Sequence, residues 1–237
     1  MHKCIPVISL LLPCLAIAED DSKSREWTGE GELGFTSTSG NTNSDSLNAK
    51  LGIEKSHEKW THKARLEVLK ASTNDVNSAD RKVFTARSEY MFAVKTYAFG
   101  ALRHEDDKFS GYDYQSSVSA GLGQQVFKTE THTLDVSAGL GYREKKATTT
   151  STKTSEGIVM GDLAYLYNIS EHAVFKEKLL VESGSSNTYS ESETSLKMKI
   201  NGNLASKIAY TIKNNSTVPA GTQNTDKITS ITLVYSF

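Results

Sequence analysis

Residues 131–143 read "THTLDVSAGLGYR". Leu134, Val136, Ala138, Leu140 and Tyr142 alternate with Asp135, Ser137, Gly139, Gly141 and Arg143. A period of two with one apolar and one polar face is the signature of a strand, because successive side chains leave a pleated backbone on opposite sides. The pattern recurs in both directions. Leu47, Ala49, Leu51 and Ile53 share a face, as do Trp60, His62, Ala64, Leu66 and Val68, and so do Leu196, Met198 and Ile200.

Followed along the chain, the alternation predicts about twelve strands, near 27–37, 45–55, 60–71, 82–92, 96–105, 113–124, 131–143, 157–168, 173–183, 192–201, 204–213 and 225–237. More than half of the chain would be strand, far above the share in an ordinary globular domain. The connections differ in kind. "SHEK", "AVK", "ISEH" and "NGN" are tight, with "VFKTET" somewhat longer. Between them come "TSGNTNS", "STNDVNSAD", "HEDDKFSGY", "EKKATTTSTKTSE", "SGSSNTYSE" and "NNSTVPAGTQNT", longer and rich in Ser, Thr, Asn and Gly. An even strand number, with short turns at one end and long polar loops at the other, is the pattern of a transmembrane barrel.

The polar face decides which solvent surrounds it. Glu30, Glu32, Lys50, Glu54, Lys63, Arg65, Glu67, Arg87, Glu89, Asp135, Arg143 and Asp162 fall on it, as do Lys176, Lys178, Glu182, Glu193, Lys197, Lys199, Lys207, Lys213 and Asp226. A soluble barrel closes around an apolar core with about eight strands, and twelve would leave an interior that Leu, Val and Ala could not fill. Inversion removes the difficulty. The apolar face meets lipid, the charged face lines a lumen, and closure leaves no unpaired edge. The reading is therefore all-β: a transmembrane antiparallel barrel of about twelve strands with a polar lumen. Trp27, Phe35, Trp60, Phe84, Tyr90, Phe92, Tyr97, Tyr142, Tyr165, Tyr167, Tyr235 and Phe237 fit interfacial girdles.

The two ends of the chain add the compartment. Residues 1–18 have the form of a cleaved secretory signal peptide: His2 and Lys3, an apolar run from Cys4 to Leu15, then Ala16-Ile17-Ala18. A lipobox reading with Cys14 as the lipidated residue is disfavoured by Pro13 immediately before it. Cleavage would remove both cysteines and leave 19–237 as one barrel domain without thiols. It would also remove Lys3, leaving 26 of the 27 basic residues against 28 acidic ones, a balance that argues against a nucleic-acid partner. At the other end Ile231, Leu233, Tyr235 and Phe237 make the lipid-facing row of the closing strand. The row resembles the C-terminal assembly signal of bacterial outer-membrane proteins. That resemblance implies a Gram-negative source, with the barrel-assembly machinery and periplasmic chaperones as partners in biogenesis, and outer-membrane lipid and lipopolysaccharide as the final surroundings.

A wider resemblance covers nearly all of the chain after the leader. "YAFGALRHEDDKFSGYDYQSSVSAGLGQQVF" at 97–127 is similar to the central signature of the YdiY-like family, whose members are of unknown function and often labelled salt-induced outer membrane proteins. The shared features are a Trp-containing first strand, the Gly40-Asn41-Thr42 loop, and the loop from Asp107 to Asp113. A Gly-x-Gly strand at Gly121 and Gly123 follows. The resemblance implies the barrel and its location, and brings no catalytic residues or cofactor.

The residues themselves argue against an enzyme. His57, His132 and His172 sit in or beside short turns and His62 is in the lipid-side register. Only His104 adjoins a long loop, and no Gly-x-Ser-x-Gly pattern accompanies it. His104, Glu105, Asp106, Asp107 and Asp113 could supply oxygen ligands to a cation, but the spacing of a calcium loop is missing. Asp and Gly shaping a turn, with Phe109 and Tyr112 packed on the rim, is the simpler reading. Gly121 and Gly123 beside Gly139 and Gly141 leave space inside the barrel for long side chains from the opposite wall, or else widen a pore. Residues 148–155, "TTTSTKTS", are a low-complexity loop tip.

Two functions remain open. One is a narrow channel or uptake barrel for a small solute, anionic if the basic wall of Lys176, Lys178, Lys197, Lys199, Lys207 and Lys213 sets its selectivity. The other is a structural or surface barrel plugged by its own salt bridges, with no transport.

Overall fold

The computed structural model describes residues 27–38, 44–108, 110–148 and 150–237; the leader, Gly40-Asn41-Thr42 and Phe109 lie outside them. Twelve strands form a closed barrel: β1 (Trp27–Thr38), β2 (Ser44–His57), β3 (Trp60–Thr73), β4 (Val76–Met91), β5 (Thr96–Asp107), β6 (Tyr112–Lys128), β7 (His132–Ala147), β8 (Lys153–Asn168), β9 (Ala173–Gly184), β10 (Thr188–Lys199), β11 (Leu204–Asn215) and β12 (Thr225–Ser236). Each strand pairs antiparallel with its neighbours in sequence, and β12 returns to β1.

Every strand of the sequence reading is present, and several are longer at one end. β4 starts at Val76 instead of residue 82, β8 at Lys153 instead of 157, and β10 at Thr188 instead of 192. These three extensions lie at the end remote from the chain termini, the loop end, while β2 and β6 lengthen at the other, the turn end. Sequence length between apolar segments therefore overstated the loops. Ser72 to Asp80 is almost wholly strand, joined by a two-residue turn at Asn74 and Asp75 with φ of 51° and 62°. Two left-handed residues are what a type I′ hairpin requires, and Asn and Asp tolerate that conformation. The longest described connection is 216–224.

Alternation in the registers fixes the two faces. Lys50 opposes Glu67, Glu67 opposes Val83 and Val83 opposes Glu105, all pointing inward. Leu33, Phe35, Val118, Leu140, Val159 and Ile231 point outward and are more than half exposed. An exposed apolar surface that encircles the molecule far exceeds what a water-facing surface carries, and matches a lipid belt. Aromatic side chains gather on this face at the turn end. Trp60 lies 4.9 Å from Tyr90, His132 stacks on Tyr167 at 4.4 Å, and Tyr235 lies 6.3 Å from Phe237.

Tyr97 corrects the girdle reading: it points into the barrel and is buried beside Phe99 and Met160. The outward residues of β5, Ala98, Gly100 and Leu102, are also apolar, so alternation alone could not orient that stretch. The inward glycines explain the packing. A Cβ on Gly123 would fall 2.2 Å from the Tyr97 ring, and one on Gly139 would meet Phe99 at 3.1 Å. Room is made for rings from β5, two strands away or fewer, not from the opposite wall. The Arg87 guanidinium then covers Phe99 at 4.0 Å.

The seam between β1 and β12 is the shortest ladder, running from Glu30↔Ser236 to Leu33↔Leu233. Two further bonds extend it: Gly29 N–H donates to Phe237 O at 2.7 Å, and Phe237 N–H to Gly29 O at 2.9 Å. The Phe237 ring occupies the place a Gly29 side chain would take, since a Cβ there would lie 2.4 Å from it.

Candidate functional site

The charged face of the sequence lines the lumen, and the structure divides it into two zones. Nearest the loop end, ion pairs run straight across the barrel. Arg81 on β4 donates to Glu191 on β10 at 2.9 Å, and Arg103 on β5 to the Tyr189 hydroxyl on β10 at 2.7 Å. Lys213 on β11 reaches Glu105 at 2.8 Å and Asp107 at 2.7 Å, both on β5. These strands stand five or six places apart around a ring of twelve. Glu105 is only 2% exposed and also pairs with Arg81 at 2.7 Å and with Arg103. Beside this group Arg143, 1% exposed, donates to Glu156 at 2.7 Å and to the Asn187 carbonyl, while Ser117 donates to Glu182 at 2.7 Å. Buried charges persist only when paired and hydrogen-bonded. Here almost every one is, and together they span the lumen from β4 and β5 to β10 and β11.

The connection 216–224 covers the same end. The Tyr112 hydroxyl donates to Thr217 O at 2.8 Å, and Asn187 Oδ1 accepts from Thr217 N–H at 3.0 Å. Gly111 has φ of +82°, and a Cβ on it would meet Pro219 at 2.7 Å, so the tip of the β5–β6 connection needs glycine for both reasons. The groups of 104–113 do not gather into one cluster, although Glu105 and Asp107 share Lys213. Glu105 and Asp107 enter the lumen, His104 points outward to Ser116 at 2.8 Å, and Asp113 pairs with Lys146 at 2.7 Å.

Towards the turn end the lumen opens into a vestibule of about 1160 Å³, reaching from Arg103 and Met160 down to Gly202, Asn203 and Phe237. The six lysines expected to form a basic wall are all on β9, β10 and β11, and all point inward, but they do different things. Lys213 belongs to the plug. Lys207 lies 3.2 Å from Glu32 and 3.1 Å from Glu193, and Lys197 pairs with Glu30. Lys199 is exposed at the turn-end rim. Lys176 and Lys178 line the vestibule, and neither makes an ion pair among the described residues. Arg81, Arg103, Glu105, Asp107, Glu156, Tyr189 and Glu191 were missed as lumen residues. Arg103 and Glu105 fall at the end of the strand expected over 96–105, and the other five sit on strand extensions, where the outward face turns polar and the period of two no longer separates faces.

Ile231, Leu233 and Tyr235 form the outward row of β12 as read from the sequence, and the Phe237 ring continues it against Gly29.

The family described as "Protein of unknown function, DUF481" matches residues 31–237. "Uncharacterized protein YdiY" of Escherichia coli (strain K12) is 29% identical over 226 residues, covering 92% of this chain and 86% of its own length. Among solved structures the NanC porin superposes with a TM-score of 0.53 at 11% identity, covering 89% of this chain and 98% of that one. The translocator domain of autotransporter NalP from Neisseria meningitidis gives 0.49 at 12% identity, covering 92% and 89%. The likeness to NanC is one of fold: an outer-membrane-type β-barrel.

Proposed function

The chain belongs to DUF481, a family of proteins of unknown function, and we propose that it is an outer-membrane barrel closed to the outside and open to the periplasm. The signal peptide at 1–18 would take it across the inner membrane, and both described termini would face the periplasm with the turn end. The observation that carries this reading is the plug. Bonds from β4 and β5 to β10 and β11 cross the lumen on the line an open pore would follow, which supports a closed barrel. Favoured over an open uptake channel, then, is a sealed barrel that presents a polar vestibule to the periplasm. Breaking the seal requires separating buried ion pairs, which costs several kcal/mol for each charge left alone.

Planar-bilayer recording tests this directly. Purified wild-type protein is expected to insert without steady conductance. A stable open level in the wild type would return the protein to the channel class, and its reversal potential in a salt gradient would then measure the anion preference expected of the basic wall.

Topology has its own test. Protease added to intact cells is expected to cut within 220–224, the exposed part of the longest connection, or at 148–152. Cutting at the short turns 58–59 or 200–203 with the membrane intact would invert the barrel.

A further inference from the structure

We propose that the vestibule holds a binding site for a small oxyanion of charge −2, gripped by Lys176 and Lys178 of β9 with Arg65 of β3 facing them across the lumen. The inference deepens the reading of a turn-end vestibule and rests on that mouth being open. It starts from an imbalance. Lys178 stands directly opposite Glu193 in the β9–β10 register, but the Glu193 carboxylate makes its close contacts with Lys50 at 2.7 Å and Lys207 at 3.1 Å and none with Lys178. Other nearby carboxylates are engaged as well. Glu30 holds Lys197, Glu32 holds Lys207, and Asp162 holds Arg87 at 2.9 Å.

Lys176 and Lys178 are thus two half-buried ammonium groups without an ion-pair partner among the described residues, two apart on one strand face. That spacing puts their Cα atoms about 6.6 Å apart, so their flexible stems can converge on a single anion. Arg65 lines the same cavity, its Nε paired with Glu67 at 2.6 Å. Its Nη2 is buried without a hydrogen bond, its nearest carboxylate oxygens being 3.7 Å away on Glu32 and 3.9 Å away on Glu193. Each lysine has one small neighbour in register, Ser195 beside Lys176 and Ala164 beside Lys178, with Leu166 and Glu193 on their other sides. Two ammonium groups without an ion-pair partner and one unspent Arg65 donor around a cavity form an arrangement that a bound anion would complete. Inorganic phosphate and a short dicarboxylate both meet the requirement of two negative charges within reach of two ammonium groups.

Calorimetric titration of the refolded barrel in zwitterionic detergent, with phosphate or succinate at constant ionic strength set by chloride, tests the site. Wild type is expected to bind one dianion. Lys176→Met with Lys178→Met should weaken binding by at least about tenfold, the weight of one charge-assisted contact. Lys178→Arg should retain it, and so should Lys63→Met, which alters a pair on another part of the wall. Heat-modified gel migration reports which variants are folded, and if the double variant is not, Lys178→Met alone carries the comparison. Failure of both probes to bind wild type, or equal binding by the lysine variants, overturns the site. Neither result bears on the plug, which conductance alone decides.

Discussion

Glu105→Gln is expected to lower the unfolding free energy of the refolded barrel by about 3 kcal/mol or more and to make a silent barrel leak. The reasoning is one of unmatched charge. The Glu105 carboxylate accepts from Arg81, Arg103 and Lys213, and at 2% exposure water cannot replace it. Gln keeps the shape and removes the charge, so three cations lose their shared anion. Taking one partner from a buried ionic group costs about 3–5 kcal/mol, mostly as desolvation of what remains. Glu191 and Asp107 compensate in part, through Arg81 and Lys213. The comparison variant is Lys63→Gln. Its pair with Glu89 at 2.9 Å has a lysine side chain 43% exposed, and such pairs are worth at most about 1 kcal/mol. Urea unfolding of both variants in detergent measures the difference, and bilayer recording of Glu105→Gln measures the leak. Equal stability of the two variants would mean that the loop-end charges are hydrated and the lumen is not sealed.

The plug also marks where the sequence stopped being legible. Within the lipid belt one face of each strand must be apolar and the other need not be. The period of two therefore reads cleanly, and Lys50, Arg65, Glu193 and Lys207 are assigned to the lumen by alternation alone. Beyond the belt both faces are polar. "HEDDKFSGY" then looks like a loop, although Glu105 and Asp107 sit on β5 with their side chains in the barrel. Pairing was the other hidden quantity. Lys176, Lys197 and Lys207 look alike in the sequence, one step of two from their neighbours on the same face. Which of them finds a carboxylate depends on β1, far away in sequence: Glu30 reaches Lys197 and Glu32 reaches Lys207 across the barrel seam. No local pattern contains that information.

The seam gives the second large effect. Phe237→Ala is expected to reduce the amount of barrel in the outer membrane far more than it reduces the stability of refolded protein. The structural share of the ring is limited. Full burial of a Phe side chain is worth about 1.5–3 kcal/mol, but this ring is 56% exposed on the outer face, touching Gly29 and lying beside Tyr235. Alanine retains both backbone bonds to Gly29, so the ladder that closes β1 on β12 survives. A loss of about 1 kcal/mol follows, and a change of 1–2 kcal/mol alters cellular abundance only several-fold. A larger fall therefore needs a role before folding is complete, when the last strand is still unpaired and its outward row of Ile231, Leu233, Tyr235 and Phe237 is open to an assembly factor. Quantitative blotting of outer-membrane fractions, set beside the urea midpoint of the refolded variant, separates the two contributions. A fall in abundance no greater than the stability loss accounts for would leave Phe237 as a seam residue covering Gly29, with no part in recognition.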